Sequence, residues 1–217
     1  MIKILINIPD VFFAYGLKER LRIFFHNAGM DVLFEFGEGG AWNFSPDLSI
    51  HHFARGEIFT CPGVINCNHA HITIGIIEQE FVVNDLPNCL KNIIPVDYNL
   101  SLQGLDNILK RIVLPKLHAN FTNMHFAKVG CYKCKHVKLT VQQTNILKYV
   151  TAGKTMREIS KLMDVNIKTL YSHKYIIYRK YGLKSLTDII SLMRKIKLLW
   201  LSSFLLMYIH TLSLLIR

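Results

Sequence analysis

Residues 139–190 (LTVQQTNILKYVTAGKTMREISKLMDVNIKTLYSHKYIIYRKYGLKSLTDII) carry three helix starts, and these leave little choice of fold there. Thr140 with Gln143, and Thr155 with Glu158, have capping-box spacing. The hydroxyl accepts from the backbone N–H three residues on, and the later side chain reaches back. Asn166 is a good N-cap for a third helix. Gly153 and Gly182 fall where the first and third helices should end, and glycine accepts the left-handed conformation of a C-terminal cap. The apolar residues follow the helical period. They are Ile146, Leu147 and Val150, then Ile159, Leu162 and Met163, then Leu170, Ile177 and Tyr181 with His173 between them. Only Asp164 and Val165 separate the second helix from the Asn166 cap, and two helices joined so tightly make a helix-turn-helix.

The third helix has a second face. Lys168, Tyr171, Ser172, Tyr175 and Arg179 share one side, which holds cations, a hydroxyl and aromatics but no acid. Such a side suits the major groove, where base edges offer acceptors, donors and thymine methyls. The preceding helix would then cross the sugar-phosphate backbone. Lys168, Tyr171, Ser172 and Tyr175 are the candidates for base contact. Lys154, Thr155, Asn166, Thr169, Lys174 and Arg179 are the candidates for phosphate contact, with Thr155 and Asn166 also capping. His173 reads as a packed or phosphate-facing residue, and Tyr178 and Tyr181 as core or interface.

A basic helical face can also be merely solvated, and the charge distribution separates the two readings. Residues 1–127 hold 9 Lys and Arg against 12 Asp and Glu, a net of −3, and residues 128–217 hold 17 against 3, a net of +14, which together give the chain its +11. Half of the molecule is nearly neutral and the other half is a footprint for a polyanion. The partner this implies is double-stranded DNA, held mainly through phosphates and therefore strongly dependent on salt.

Leu139-Thr140, Gly153-Lys154-Thr155, Glu158-Ile159, Lys168-Thr169-Leu170, His173 and Lys180-Tyr181-Gly182 resemble the C-terminal DNA-binding domain of LuxR/FixJ-type transcription regulators. The resemblance implies an all-α, four-helix domain whose fourth helix, here about Ser185 to Met193, is used for pairing. Gln143 stands where the family usually has Glu, Ser160 where it has Ala and Asn166 where it often has Ser. All three keep capping or packing chemistry.

The N-terminal half alternates strand-like and helix-like runs. Ile2 to Ile8 reads as a buried strand ended by Pro9-Asp10. Gly16 to His26 reads as an amphipathic helix with Leu17, Leu21, Phe24 and Phe25 on one face. Further strands are expected at Asp31 to Phe36, Leu48 to Phe53, His71 to Ile77 and Asn92 to Val96. A closing helix is expected at Leu105 to Val113, with Leu105, Ile108, Leu109 and Ile112 inward. This order argues for an α/β domain with a parallel sheet covered on both faces.

Together with Gly16-Leu17-Lys18 after an acidic strand end, this order resembles a receiver domain, which is flavodoxin-like. A working receiver needs clustered acids after the first strand to hold a divalent cation, and an Asp at the end of the third strand to take a phosphoryl group. Here Asp10 alone represents the acids, and the acceptor position falls at about His52. The helix after the third strand looks eroded, since Arg55 to His69 carries Gly56, Pro62 and Gly63. A degenerate receiver joined to a LuxR-type domain is similar to auxiliary regulators of enteric bacteria, the RcsA and BglJ kind. That implies a homodimer or a heterodimer with a response regulator, no phosphorylation, and RNA polymerase as a further candidate partner. The other readings are a phosphorelay regulator with a non-standard acceptor and a membrane-tethered regulator.

Cys131 and Cys134 with His136 have metal-ligand spacing, and Cys61, Cys67, His69 and His71 form another cluster. Neither contains a full four-ligand set with ordinary spacing, so a basic linker with incidental thiols is preferred, and no metal or cofactor is expected. Five cysteines and no secretory signal read as a reducing cytoplasm and nucleoid. No nucleophile elbow, phosphate-cradling loop or paired-carboxylate pattern supports an enzyme. Residues 198–216 hold no charge and follow Arg194, Lys195 and Lys197. At about 1.5 Å per residue such a run nearly crosses a hydrocarbon core. A membrane-anchoring tail competes there with partner or core packing and with an irregular end. The expected division is a receiver-like domain at 1–120, a linker at 121–137, the helix-turn-helix domain at 138–196 and the tail at 197–217.

Overall fold

The computed structural model describes residues 1–37, 46–60, 72–79, 87, 90, 93–120 and 137–194. The chain forms two compact units. One is Met1–Phe53 with Gly63–Lys135, and the other is Ala54–Pro62 with His136–Arg217.

The first unit is a five-stranded sheet. Its strands are β1 (Ile2–Asn7), β2 (Val32–Phe36), β3 (Leu48–Phe53), β4 (Ile72–Ile77) and β5 (Ile94–Asp97), in the order β2-β1-β3-β4-β5. All four pairings are parallel, with Ile2 opposite Val32, Ile4 opposite Leu48, Leu48 opposite Ile72 and Ile74 opposite Ile94. Helix α1 (Val11–Asn27) and the closing helix place Ala14, Leu17, Leu21, Phe25, Leu105, Leu109, Val113 and Leu117 in one core with alternate sheet residues such as Ile4, Ile50, Ile74 and Val96. Central strands buried on both faces are nearly all apolar for that reason. This is the receiver-like α/β architecture the sequence implied.

Three local expectations change. Helix α1 starts five residues before Gly16, because Asp10 turns from strand breaker to N-cap and accepts from the Phe13 amide at 2.9 Å. The closing helix is longer and is interrupted. It runs as α2 (Leu102–Ile108), a π-helical turn (Leu109–Val113) and α3 (Leu114–Asn120). The wider turn keeps Val113 inward and swings Ile112 out, so Ile112 is exposed instead of buried. Arg20 of α1 pairs with Asp106 of α2 and fastens the two helices, its Nε donating at 3.0 Å.

The second unit holds α4 (Val141–Thr151), α5 (Met156–Met163), α6 (Ile167–Tyr181) and a last helix over residues 186–194. Its core has two parts. Leu147, Ile177, Tyr181, Leu183, Ile189, Leu192 and Met193 form one, and Ile146, Ile159 and Leu170 form the other. Leu162 is exposed, contrary to its expected inward position. Helix α5 is only two turns long, and its inward line is Met156, Ile159 and Met163. Residues 54–60 of this unit form a turn with a short 3-10 segment, Glu57–Phe59. Among the described residues no helix is long and apolar enough to cross a membrane, and the tail at 198–217 lies outside them.

Candidate nucleic-acid interface

The geometry starts at the caps. The Thr140 hydroxyl accepts from the Gln143 amide at 3.2 Å, and Gln143 Oε1 accepts from the Thr140 amide at 3.1 Å. Thr155 and Glu158 do the same for α5, where Glu158 Oε2 accepts from the Thr155 amide at 2.7 Å. Asn166 Oδ1 accepts from the Lys168 amide at 2.9 Å and starts α6. Between α5 and α6 the chain turns through Asp164, the one non-glycine residue with positive φ (49°) among the described residues. Asp tolerates this left-handed conformation better than most side chains. Ser160 then ties the turn shut by donating to the Val165 carbonyl at 2.7 Å.

The two faces of α6 divide cleanly. Leu170, Ile177 and Tyr181 are buried, while Lys168, Thr169, Tyr171, Ser172, Tyr175 and Arg179 are exposed. Lys154, Thr155 and Asn166 are also exposed, at the helix starts. Lys154 lies 3.8 Å from Glu158. The ten candidate residues are therefore not all equivalent. Lys168, Tyr171, Ser172, Tyr175 and Arg179 share an open edge. Thr169 is exposed but falls off their spacing. Ser172 spends its proton on the Lys168 carbonyl at 3.1 Å, so its oxygen is offered as an acceptor. Lys174 is half-buried and leans over the Tyr178 ring, its ammonium 5.3 Å from the centroid. That cation–π contact holds it back from the edge that carries Arg179.

Burial raises the Tyr181 phenol, whose proton goes to the Val137 carbonyl at 3.0 Å. Tyr178 is raised by burial and then by the charge of Asp188. Both belong to the packed side, as their spacing predicts. His173 is half-buried, and its Nδ1 has no hydrogen-bond partner among the described residues. Two exposed cations of α5, Arg157 and Lys161, escaped the sequence reading. They lie four residues apart, so they share one side of the helix.

The Thr155 cap gives a pH-dependent prediction. The Thr155 backbone amide, then its hydroxyl, then Lys154 hold the Glu158 carboxyl below its ordinary value of 4.5. A lowered folded-state pKa contributes stability above the unfolded value, and that contribution is lost as pH falls through the folded value. Thr155→Ala should cost about 0.5–2 kcal/mol at neutral pH and less below the carboxylate range. Thermal unfolding at several pH values reads both.

At the other unit's strand ends, Asp10 is committed to its cap, and Asn7 Nδ2 lies 3.3 Å from His51 Nδ1. His52 Nε2 lies 2.9 Å from Glu78 Oε1, with the Tyr98 ring edge-on at 5.6 Å. Among the described residues no group of three or more His, Cys, Asp or Glu could hold a metal. Cys61, Cys67, His69, His71, Cys131, Cys134 and His136 all lie outside them.

Residues 137–193 match the family of bacterial regulatory proteins called the luxR family, or GerE. The helical unit is thus a LuxR-type helix-turn-helix domain. Over 89% of this chain, the fold is similar to that of the two-component response regulator RcsB in a DNA complex, at 16% identity, 98% coverage of that chain and a TM-score of 0.52. It is similar to RcsB in a structure of two dimers on two parallel DNAs, at 14% identity, with 89% and 98% covered and a TM-score of 0.52. It is also similar to RcsB from Salmonella enterica serovar Typhimurium bound to the P1flhDC promoter with phosphomimetic BeF3−, at 16% identity, with 90% and 98% covered and a TM-score of 0.51. No curated protein matches this chain.

Proposed function

We propose that this chain is a sequence-specific, DNA-binding transcription regulator. It works as a pair, with a second copy or with a response regulator, and RNA polymerase is a further partner. The residue division is the one set out from the sequence, with domains at 1–120 and 138–196, except that residues 54–62 group with the helical unit. The observation that carries the reading is the exposed edge of α6. Lys168, Tyr171, Ser172, Tyr175 and Arg179 face outward with no acid among them, over a buried line of Leu170, Ile177 and Tyr181. A rod so divided presents donors, acceptors and apolar area to a groove. Two of the RcsB structures named above support the reading by analogy, since RcsB is seen there on DNA and, in one, as dimers.

Lys168, Tyr171, Ser172 and Tyr175 read bases in this proposal. Lys154, Thr155, Asn166, Thr169 and Arg179 hold phosphates, and Lys174 joins them on release from Tyr178. Regulation proceeds without phosphoryl transfer, because an imidazole beside Glu78 occupies the acceptor position and Asp10 is spent as a cap.

Selection from a random duplex pool tests this. The full chain should enrich one sequence, and the same one with or without acetyl phosphate and Mg²⁺. Failure to enrich any sequence would overturn the DNA-reading assignment, and a different sequence after acetyl phosphate would overturn phosphorylation independence.

A further inference from the structure

Ala54–Pro62 follows β3 directly in the chain yet belongs to the helical unit. Its contacts there converge on the end of α6. Arg55 donates through Nη1 to the Gly182 carbonyl at 3.4 Å, 127 residues along the chain, and its Nε lies 3.8 Å from the Asp188 carboxylate. Gly56 has φ +85°, and a Cβ there would fall 2.7 Å from Leu183 Cδ2 and 3.2 Å from the Tyr181 carbonyl. Only glycine fits both the angle and the space. Phe59 packs against the Tyr181–Leu192 core. The Phe59 carbonyl accepts from the Val137 amide at 3.4 Å, and the Val137 carbonyl in turn accepts from the Tyr181 hydroxyl.

Asp188 is the second anchor of this arrangement. Burial works against its charge, but the Lys184 amide, the Ser185 hydroxyl and amide, and the Arg55 guanidinium together hold its carboxyl below the ordinary range. It caps the last helix by accepting from the Lys184 and Ser185 amides at 2.7 and 3.0 Å. One guanidinium therefore touches both the C-cap of α6 and the N-terminal cap of the next helix.

We propose that Arg55 and Gly56 are positioning residues for DNA reading, holding the C-terminal turn of α6 at the tilt its exposed edge requires. The proposal rests on the DNA-reading assignment above. Leu170 is fixed near the start of the rod by Ile146 and Ile159. Movement at Tyr181–Leu183 therefore swings Tyr175 and Arg179 through the larger arc. Base contacts depend on direction and are lost by such a swing, whereas phosphate attraction is not.

The test uses the full chain and the duplex that wild type enriches from a random pool. Arg55→Ala should weaken binding to that duplex about tenfold, the scale of one good base contact. Binding to an unrelated duplex and the salt slope should stay the same, and amide exchange at Gly182–Ser185 should quicken. Arg55→Lys, which keeps the charge, should recover most of the loss. Unchanged affinity and exchange would overturn the proposal. So would equal loss on both duplexes with the salt slope smaller by about one, the mark of a direct phosphate contact. Gly56→Ala should give the same split between duplexes if Arg55→Ala does not fold, and equal loss on both from Gly56→Ala overturns the proposal too. If wild type enriches nothing, the DNA-reading assignment falls and takes this inference with it. Enrichment by wild type with an unaffected Arg55→Ala removes positioning alone.

Discussion

Tyr171→Ala should relax sequence preference. Binding to the enriched duplex should fall by about 1–3 kcal/mol while binding to an unrelated duplex stays put. Tyr171 stands outward on the open edge of α6, 53% exposed, so its ring is not part of the core. Its removal should leave the fold alone. What it supplies is a phenol that can meet a base edge and a flat apolar surface that can meet a thymine methyl. Arg179→Ala is the contrasting variant. It should weaken both duplexes alike and lower the salt slope by about one, because a phosphate contact carries no sequence information. Titrations of both variants at several salt concentrations settle the division of labour. Equal loss on every duplex from both changes would remove it.

Ile177→Ala should cost the helical unit about 2–5 kcal/mol. Ile177 is 0% exposed and shares a core with Leu147, Tyr181, Leu183, Ile189 and Leu192. Truncation there strips one side of α6 and leaves a hole between several helices, which a small unit collapses only in part. Denaturant unfolding should show the midpoint falling at unchanged slope for that unit. The sheet has its own core, built on Ile4, Leu48, Ile74 and Leu109, and its transition should hold its position. A loss under about 1 kcal/mol would mean that neighbouring side chains refill the space, and that this core is less tightly specified than its burial implies.

The helical unit was legible because its signals are local. A cap and its partner sit two or three residues apart, so Thr140, Thr155 and Asn166 announce their helices in the sequence itself. The faces of α6 follow from one period, and both were read correctly. Leu162 was misread because α5 is too short for its apolar residues to fix a face by counting alone. Asp10 reads in the sequence as a breaker and as the lone acid of the receiver's cluster, not as a cap, since Pro9-Asp10 ends a strand and starts a helix with equal chemical ease. Ile112 turned outward because a π-helical turn changes the count of residues per turn, and nothing in LKRIV signals one. Lys174 is half-buried for another reason, as its cation meets an aromatic ring on its own helix, which no spacing rule announces. The role of Arg55 and Gly56 was beyond any local pattern, because their partners lie at Tyr181–Asp188. The parallel sheet was foreseen in kind, but its register was not, since pairing such as Ile4 with Leu48 is set by long-range closure.

The separation of partners along the chain also sets an order of assembly. Helices α4 to α6 join neighbours a few residues apart and can form quickly, whereas parallel strands must first close long loops. The seating of Arg55 against Gly182 joins positions 127 apart in the chain, so it closes a larger loop than any contact among those helices. The three helices can therefore take shape before the seven-residue clasp of Ala54–Thr60 is seated. The exposed edge of α6 can therefore form first, and the clasp on its last turn through Arg55 and Gly56 closes as a separate, later step.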